Sequence, residues 1–227
     1  MFWDYTYILV LIGAVICTLA SANVSSTYKK FSQYGNRMGL KAEEVAARML
    51  REAGIFDVRI ERISGNLTDH YSPKEKILRL SDSVYGSTSV AAIGVAAHEC
   101  GHAIQHHTNY LPLSLRSLSV PVANIGSVLY WPVILLGIIL SIPMLTEIGI
   151  LLFTFVVFFQ LITLPVEFNA SRRALSTLTD RNILAGDELK GASKVLTAAA
   201  LTYVASLVNS LLHLLRLVLL TNNRRRR

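Results

Sequence analysis

Residues 96–107 read "AAHECGHAIQHH", four imidazoles and one carboxylate set among small residues. Side chains at i and i+4 share one face of an α-helix, so His98 and His102 point the same way one turn apart. Two imidazoles so placed can grip one metal ion. His98-Glu99-Cys100-Gly101-His102 matches H-E-x-x-H, in which both histidines bind zinc and the glutamate serves as general base. Upstream, Val90 to Ala97 are small and apolar, so the helix is expected to be buried, and buried imidazoles beside a carboxylate need a charge-balancing reason. Two core histidines held by hydrogen bonds are the alternative set against that reading. Cys100 is turned about 200° from His98 at 100° per residue, which makes it a packing residue.

A catalytic zinc needs a third protein ligand and an open position. His106 shares the stripe, but it stands about 12 Å from His98 along a continuous helix at 1.5 Å per residue. It cannot join the same ion. A metzincin extension would want Gly at 105 and His at 108, where this chain has Gln105 and Thr108. His106 and His107 are therefore read as solvated or helix-end residues. A carboxylate remains: "PVEFNASRRA" places Glu167 at the start of a helical stretch, where Phe168 and Ala170 make a plain surface charge a poor explanation.

The surroundings are those of a membrane protein. Of 227 residues 52% are hydrophobic and 16% charged, with a mean hydropathy of +0.44, high for a soluble domain. From Tyr5 to Tyr28 no residue is charged, which is long enough to cross a hydrocarbon core needing about 20 residues. A cleaved signal peptide would carry a basic start, and this chain has Trp3 and Asp4 there, so an uncleaved anchor is expected. Arg116 to Glu147 brackets a second span, and "IGILLFTFVVFFQLITLP" is a third, joined to it by a connection too short for anything but an antiparallel hairpin. In a fourth apolar stretch Asn209, His213 and Arg216 interrupt the pattern, and whether it crosses is left open.

The formal net charge of +7 does not form a nucleic-acid face. Lys29, Lys30, Arg37 and Lys41 follow the first span and Arg172 and Arg173 the third, while the hairpin turn has no basic residue. Positive-inside reasoning puts the N-terminus outside and the histidine helix and Glu167 in the cytoplasm. Arg224 to Arg227 fit only if the fourth stretch stays on that side or the tail is exported against the rule. Cys17 lies in the first span and Cys100 in the histidine helix, so no disulfide is expected.

In the polar part, "LKAEEVAARMLREAG" has a helical repeat ending at Gly54, a C-terminal cap. "FDVRIERI", "LTDHYSP" and "KILRLS" read as three strands separated by turns. Ser87 to Ser89 offer the N-cap of the histidine helix. The fold class is thus an α+β membrane protein, mostly α-helical with three to four transmembrane helices and a small antiparallel sheet beside the H-E-x-x-H helix. Its expected parts are an anchor (1–24), a cytoplasmic half carrying the motif (25–116), a transmembrane hairpin (117–166), a third-ligand region (167–198) and a membrane-associated helix with basic tail (199–227). Asp69, His70 and Tyr71 precede a turn where the substrate edge of a zincin falls, and His70 or Tyr71 could stabilise an oxyanion, as could Tyr203.

"LTDHYSPKEKILRLSDSVYGSTSVAAIGVAAHECGHAIQHH" together with "LPVEFNASRRAL" resembles the YugP-type membrane zinc metallopeptidases, similar in layout to the HtpX and CAAX-prenyl proteases. The resemblance implies a zinc-dependent endopeptidase with His98, His102 and Glu167 as metal ligands and Glu99 as base. Its partners would be a protein or peptide substrate and the bilayer. In the HtpX-type pattern an Asp stands four residues after the ligand glutamate; here it is Ser171, with Asn169 and Asp69 as substitutes for supporting a ligand histidine. The alternatives are a membrane scaffold whose zinc is only structural, to which Glu99 is no use, and a transporter, for which too few polar groups lie in the spans.

Overall fold

In the computed structural model residues 5–225 are described, with side chains through Thr221. Trp3, Asp4, Arg226 and Arg227 lie outside the described residues, as do the side chains of Arg224 and Arg225. The elements in chain order are α1 (Tyr7–Phe31), α2 (Ala42–Glu52), β1 (Arg59–Ile63), β2 (His70–Ser72), β3 (Ile77–Ser81), α3 (Val90–His107), α4 (Leu111–Ile139), α5 (Pro143–Asp180) and α6 (Gly186–Arg225). Four of them, α1, α4, α5 and α6, are long and apolar enough to cross a membrane. The chain divides into two compact units, one of residues 1–21, 115–164 and 202–227, the other of 22–114 and 165–201.

The second unit is organised round α3. Ser89 caps its start, accepting from the Ala92 amide at 3.2 Å, and Asn109 in the left-handed region ends it, where the Tyr110 amide bonds the Gln105 carbonyl at 2.9 Å. The same device ends α2: Gly54 at φ 74° lets the Ile55 amide reach the Leu50 carbonyl at 2.9 Å. Helix α2 buries Val45, Ala46, Met49 and Leu50, the apolar stripe read from sequence, in a core shared with α3. Burying side chains as large as Met49 and Leu50 stabilises by about 1.5–3 kcal/mol each.

The sheet is mixed rather than wholly antiparallel. Its order is β1-β3-β2, with β2 antiparallel and β1 parallel to β3. The Ser64-Gly65-Asn66 turn does not close a hairpin. Asp82, just past β3, accepts from the Gly65 amide at 3.0 Å and from Arg62 Nε at 2.7 Å, which pins the crossing segment to the end of β3. Strand β3, with Ile77, Leu78 and Leu80 buried, takes the central position, and the charge-rich β1 is left at an edge.

In the first unit the α4–α5 hairpin is closed by glycines. A Cβ on Gly126 would stand 2.8 Å from the Leu152 carbonyl oxygen, and one on Gly137 2.7 Å from the Thr146 amide nitrogen. Small residues allow such backbone approach where apolar burial gives helices no drive to associate. Helix α6 runs antiparallel beside α1: Gly13 meets Asn209, the Cys17 thiol donates to the Ala205 carbonyl, and Arg216 lies over the Tyr7 ring, 4.9 Å from its centroid. Gly149→Ala tests the hairpin packing, because the new methyl would run into Ile134 Cγ1 and stand 2.9 Å from the Tyr130 carbonyl. The expected loss is about 1–3 kcal/mol, read as a lowered thermal midpoint in detergent.

Candidate metal centre

Helix α3 and the part of α5 beyond Pro165 build the centre, and they meet with their backbones nearly touching. A Cβ on Gly101 would lie 2.5 Å from the Ala170 carbonyl oxygen, so only glycine fits between the two motif histidines' turns. That crossing brings Glu167 beneath the imidazoles. Its Oε2 is 3.2 Å from His98 Nε2 and 3.6 Å from His102 Nε2, and one ligand atom from each of the three residues lies within 4.8 Å of the others. Two ligands at zinc's usual bond lengths and a tetrahedral angle stand about 3.4 Å apart. The donor set therefore fits zinc in kind and in spacing.

The other nitrogen of each ring is already engaged. His98 Nδ1 is 3.1 Å from Ser171 Oγ, and His102 Nδ1 is 3.0 Å from Gln105 Oε1. Gln105 is fully buried, and its Nε2 donates to the Val166 carbonyl at 2.8 Å and to Asn169 Oδ1 at 3.0 Å. With the amide so oriented, its oxygen faces His102, whose Nδ1 must carry the proton. Both imidazoles then present Nε2 toward Glu167, the arrangement in which a metal ligand is oriented through its second nitrogen.

Glu167 is 2% exposed. Burial alone would raise its carboxyl, but the bonds from His102 and His98 outweigh that and hold it well below the usual carboxylate range. Burial pushes His102 down, and its contacts with Glu167 and Glu99 reverse the shift, so it is raised. A divalent cation bound there would supply the charge that balances the Glu167 carboxylate. Glu99, 7% exposed, sits three residues before His102 on α3, and among the described residues no side chain or amide donates to its carboxylate.

The remaining sequence candidates have partners of their own. Asp69 accepts from the Ser81 amide at 2.7 Å and from Ser81 Oγ at 2.8 Å, and burial raises it. His70 Nδ1 is 2.9 Å from the Thr68 carbonyl oxygen and its Nε2 3.4 Å from Arg79 Nη1. The Tyr71 hydroxyl is 2.9 Å from His106 Nδ1, so these two form a pair one turn beyond His102. Asn169 acts through Gln105 and also accepts from Arg173 Nε at 2.8 Å. Tyr203 belongs to the first unit, on α6, 39% exposed. The Cys100 thiol points to the Ala46 carbonyl of α2, and burial pushes it well up. Gln105 was missed by the sequence reading, although its place three residues after His102 puts it on the same helix face.

The chain thus combines helices of membrane length with a set of two imidazoles and one carboxylate that could hold a metal ion. Residues 6–222 match the model of the family described as "Putative neutral zinc metallopeptidase", and the chain belongs to that family. It is 45% identical over 206 residues to "Putative membrane protease YugP" of Bacillus subtilis (strain 168), a match covering 91% of this chain and 92% of that relative. No solved structure matches it.

Two substitutions test the centre. Gln105→Met keeps the bulk and removes the acceptor, and is expected to weaken zinc binding about 10- to 100-fold in chelator competition. Gly101→Ala should weaken it as well and lower the thermal midpoint, because it pushes Glu167 away from both rings.

Proposed function

We propose that this protein is an integral membrane zinc endopeptidase with His98, His102 and Glu167 as metal ligands and Glu99 as general base. The observation that carries the reading is the fit of the three donor atoms, with both Nδ1 positions engaged, beside a buried carboxylate that no protein group occupies. Zinc bound there supplies Lewis acidity, which eases ionisation of water and polarises a peptide carbonyl. Glu99 takes the water's proton on a carboxylate oxygen and hands it to the departing amine nitrogen. Glu167 balances the cation's charge, and Ser171 and Gln105 hold the two rings in place. Strand β2 lies at the sheet edge with its outer side unpaired among the described residues, and an extended peptide can add to it.

Glu99→Gln is expected to lower casein hydrolysis by at least about 10²-fold while leaving one zinc per chain, since the amide keeps the shape and cannot accept a proton. Glu167→Ala should strip the metal, and His106→Ala should retain it. Loss of zinc in the Glu99 variant would make Glu99 a ligand or a folding residue and remove its role as base.

The proposed topology has the N-terminus outside and the centre on the cytoplasmic side, because the basic residues that follow α1 and the spanning part of α5 cluster there. Helix α6, antiparallel to α1 over its length, crosses as the fourth span. A cysteine at Ser32 should resist an impermeant thiol reagent on intact cells, and one at Met144, exposed at the α4–α5 turn, should react, with Cys17 and Cys100 first replaced by alanine. Labelling at Ser32 would invert the orientation.

A further inference from the structure

Where α1 passes its last uncharged turn, a second polar cleft opens in the unit that also holds the metal centre. It is lined from α1 by Asn23, Thr27 and Lys30 and from α6 by Ser193, Lys194 and Thr197, and encloses about 360 Å³. No carboxylate lines it. Asp187 and Glu188 line the neighbouring hollow, but they are taken up by Lys190 at 3.1 Å and Arg37 at 3.5 Å. Among the described residues neither Lys30 nor Lys194 has a carboxylate within ion-pair distance. Two lysines, three hydroxyl-bearing residues and an asparagine thus line one small space, and both lysines also border the neighbouring hollow.

Its level along α1 identifies the ligand. From Tyr7 to Lys30 is about 35 Å of helix at 1.5 Å per residue, close to one hydrocarbon thickness, so Lys30 stands at headgroup depth. Below it the α1 surface is apolar, with Val15 and Leu19 exposed, and Leu201 on α6 closes the cleft's membrane end. We propose that this cleft binds the phosphate of an anionic phospholipid from the leaflet that faces the metal-centre unit. Lys30 and Lys194 pair with the phosphodiester, Thr27, Ser193 and Thr197 donate to its oxygens, and the acyl chains lie along α1. A zwitterionic lipid brings its own ammonium into the same space and competes poorly.

The test is native mass spectrometry of the full chain, extracted in detergent and titrated with phosphatidylglycerol or with phosphatidylcholine of the same acyl chains. The expected result is a preference of about tenfold or more for phosphatidylglycerol. Lys30→Gln with Lys194→Gln should abolish it, while Lys29→Gln with Lys41→Gln, an equal change of charge outside the cleft, should leave it intact. Inorganic phosphate should displace the lipid only weakly. Equal loss in both double variants would reduce the effect to diffuse surface charge and overturn the assignment. Phosphate binding as tightly as the lipid would replace a lipid site by a free-anion site. Neither result bears on the metal centre, which none of these four residues touches.

Discussion

The backbone contact between Gly101 and Ala170 is the constraint on which the centre depends. The histidines are fixed relative to each other by one turn of α3, but Glu167 comes from a helix far along the chain and can be placed only by how closely the two helices approach. With Gly101 against the Ala170 carbonyl, α5 comes near enough for a short carboxylate side chain to reach both Nε2 atoms. A methyl at 101 would have to be absorbed by backbone, which cannot give as the end of a side chain can. The same closeness lets Gln105 bond a main-chain carbonyl of α5 and the His102 ring at once. Packing and ring orientation are therefore one device.

A buried carboxylate between two imidazoles is costly unless every lone pair and proton is placed. Glu167 is balanced by the rings, each ring is held by a neutral partner, and Gln105 is satisfied on both its ends. Choosing serine and glutamine over carboxylates for these supports keeps the net charge of the pocket low. Among the described residues no group donates to the buried Glu99 carboxylate.

The parts legible in the sequence were those set by local periodicity. The i, i+4 spacing of His98 and His102, the Ser89 cap, Gly54 and the stripe of α2 each follow from one helix considered alone. The family resemblance carried Glu167, because no periodicity links α3 to α5. What escaped were pairings decided by a third element. The turn at Gly65 looks like a hairpin turn until Asp82 claims its amide, and only then does β1 run parallel to β3. Ser171 was noted as a departure from an Asp, yet a hydroxyl one turn from Glu167 reaches His98 just as well for the purpose of fixing a ring.

The polar residues of the fourth apolar stretch take on meaning once α6 is seen beside α1. Asn209 fits against Gly13, where no side chain competes for the space, and Arg216 stands level with Tyr7, near the end of the span rather than at its middle. A guanidinium over an aromatic ring at that depth is stabilised by the ring's face and can extend toward headgroups, which removes most of the penalty an arginine meets in mid-bilayer. With α6 proposed as a fourth crossing, the chain would return to the side on which it began.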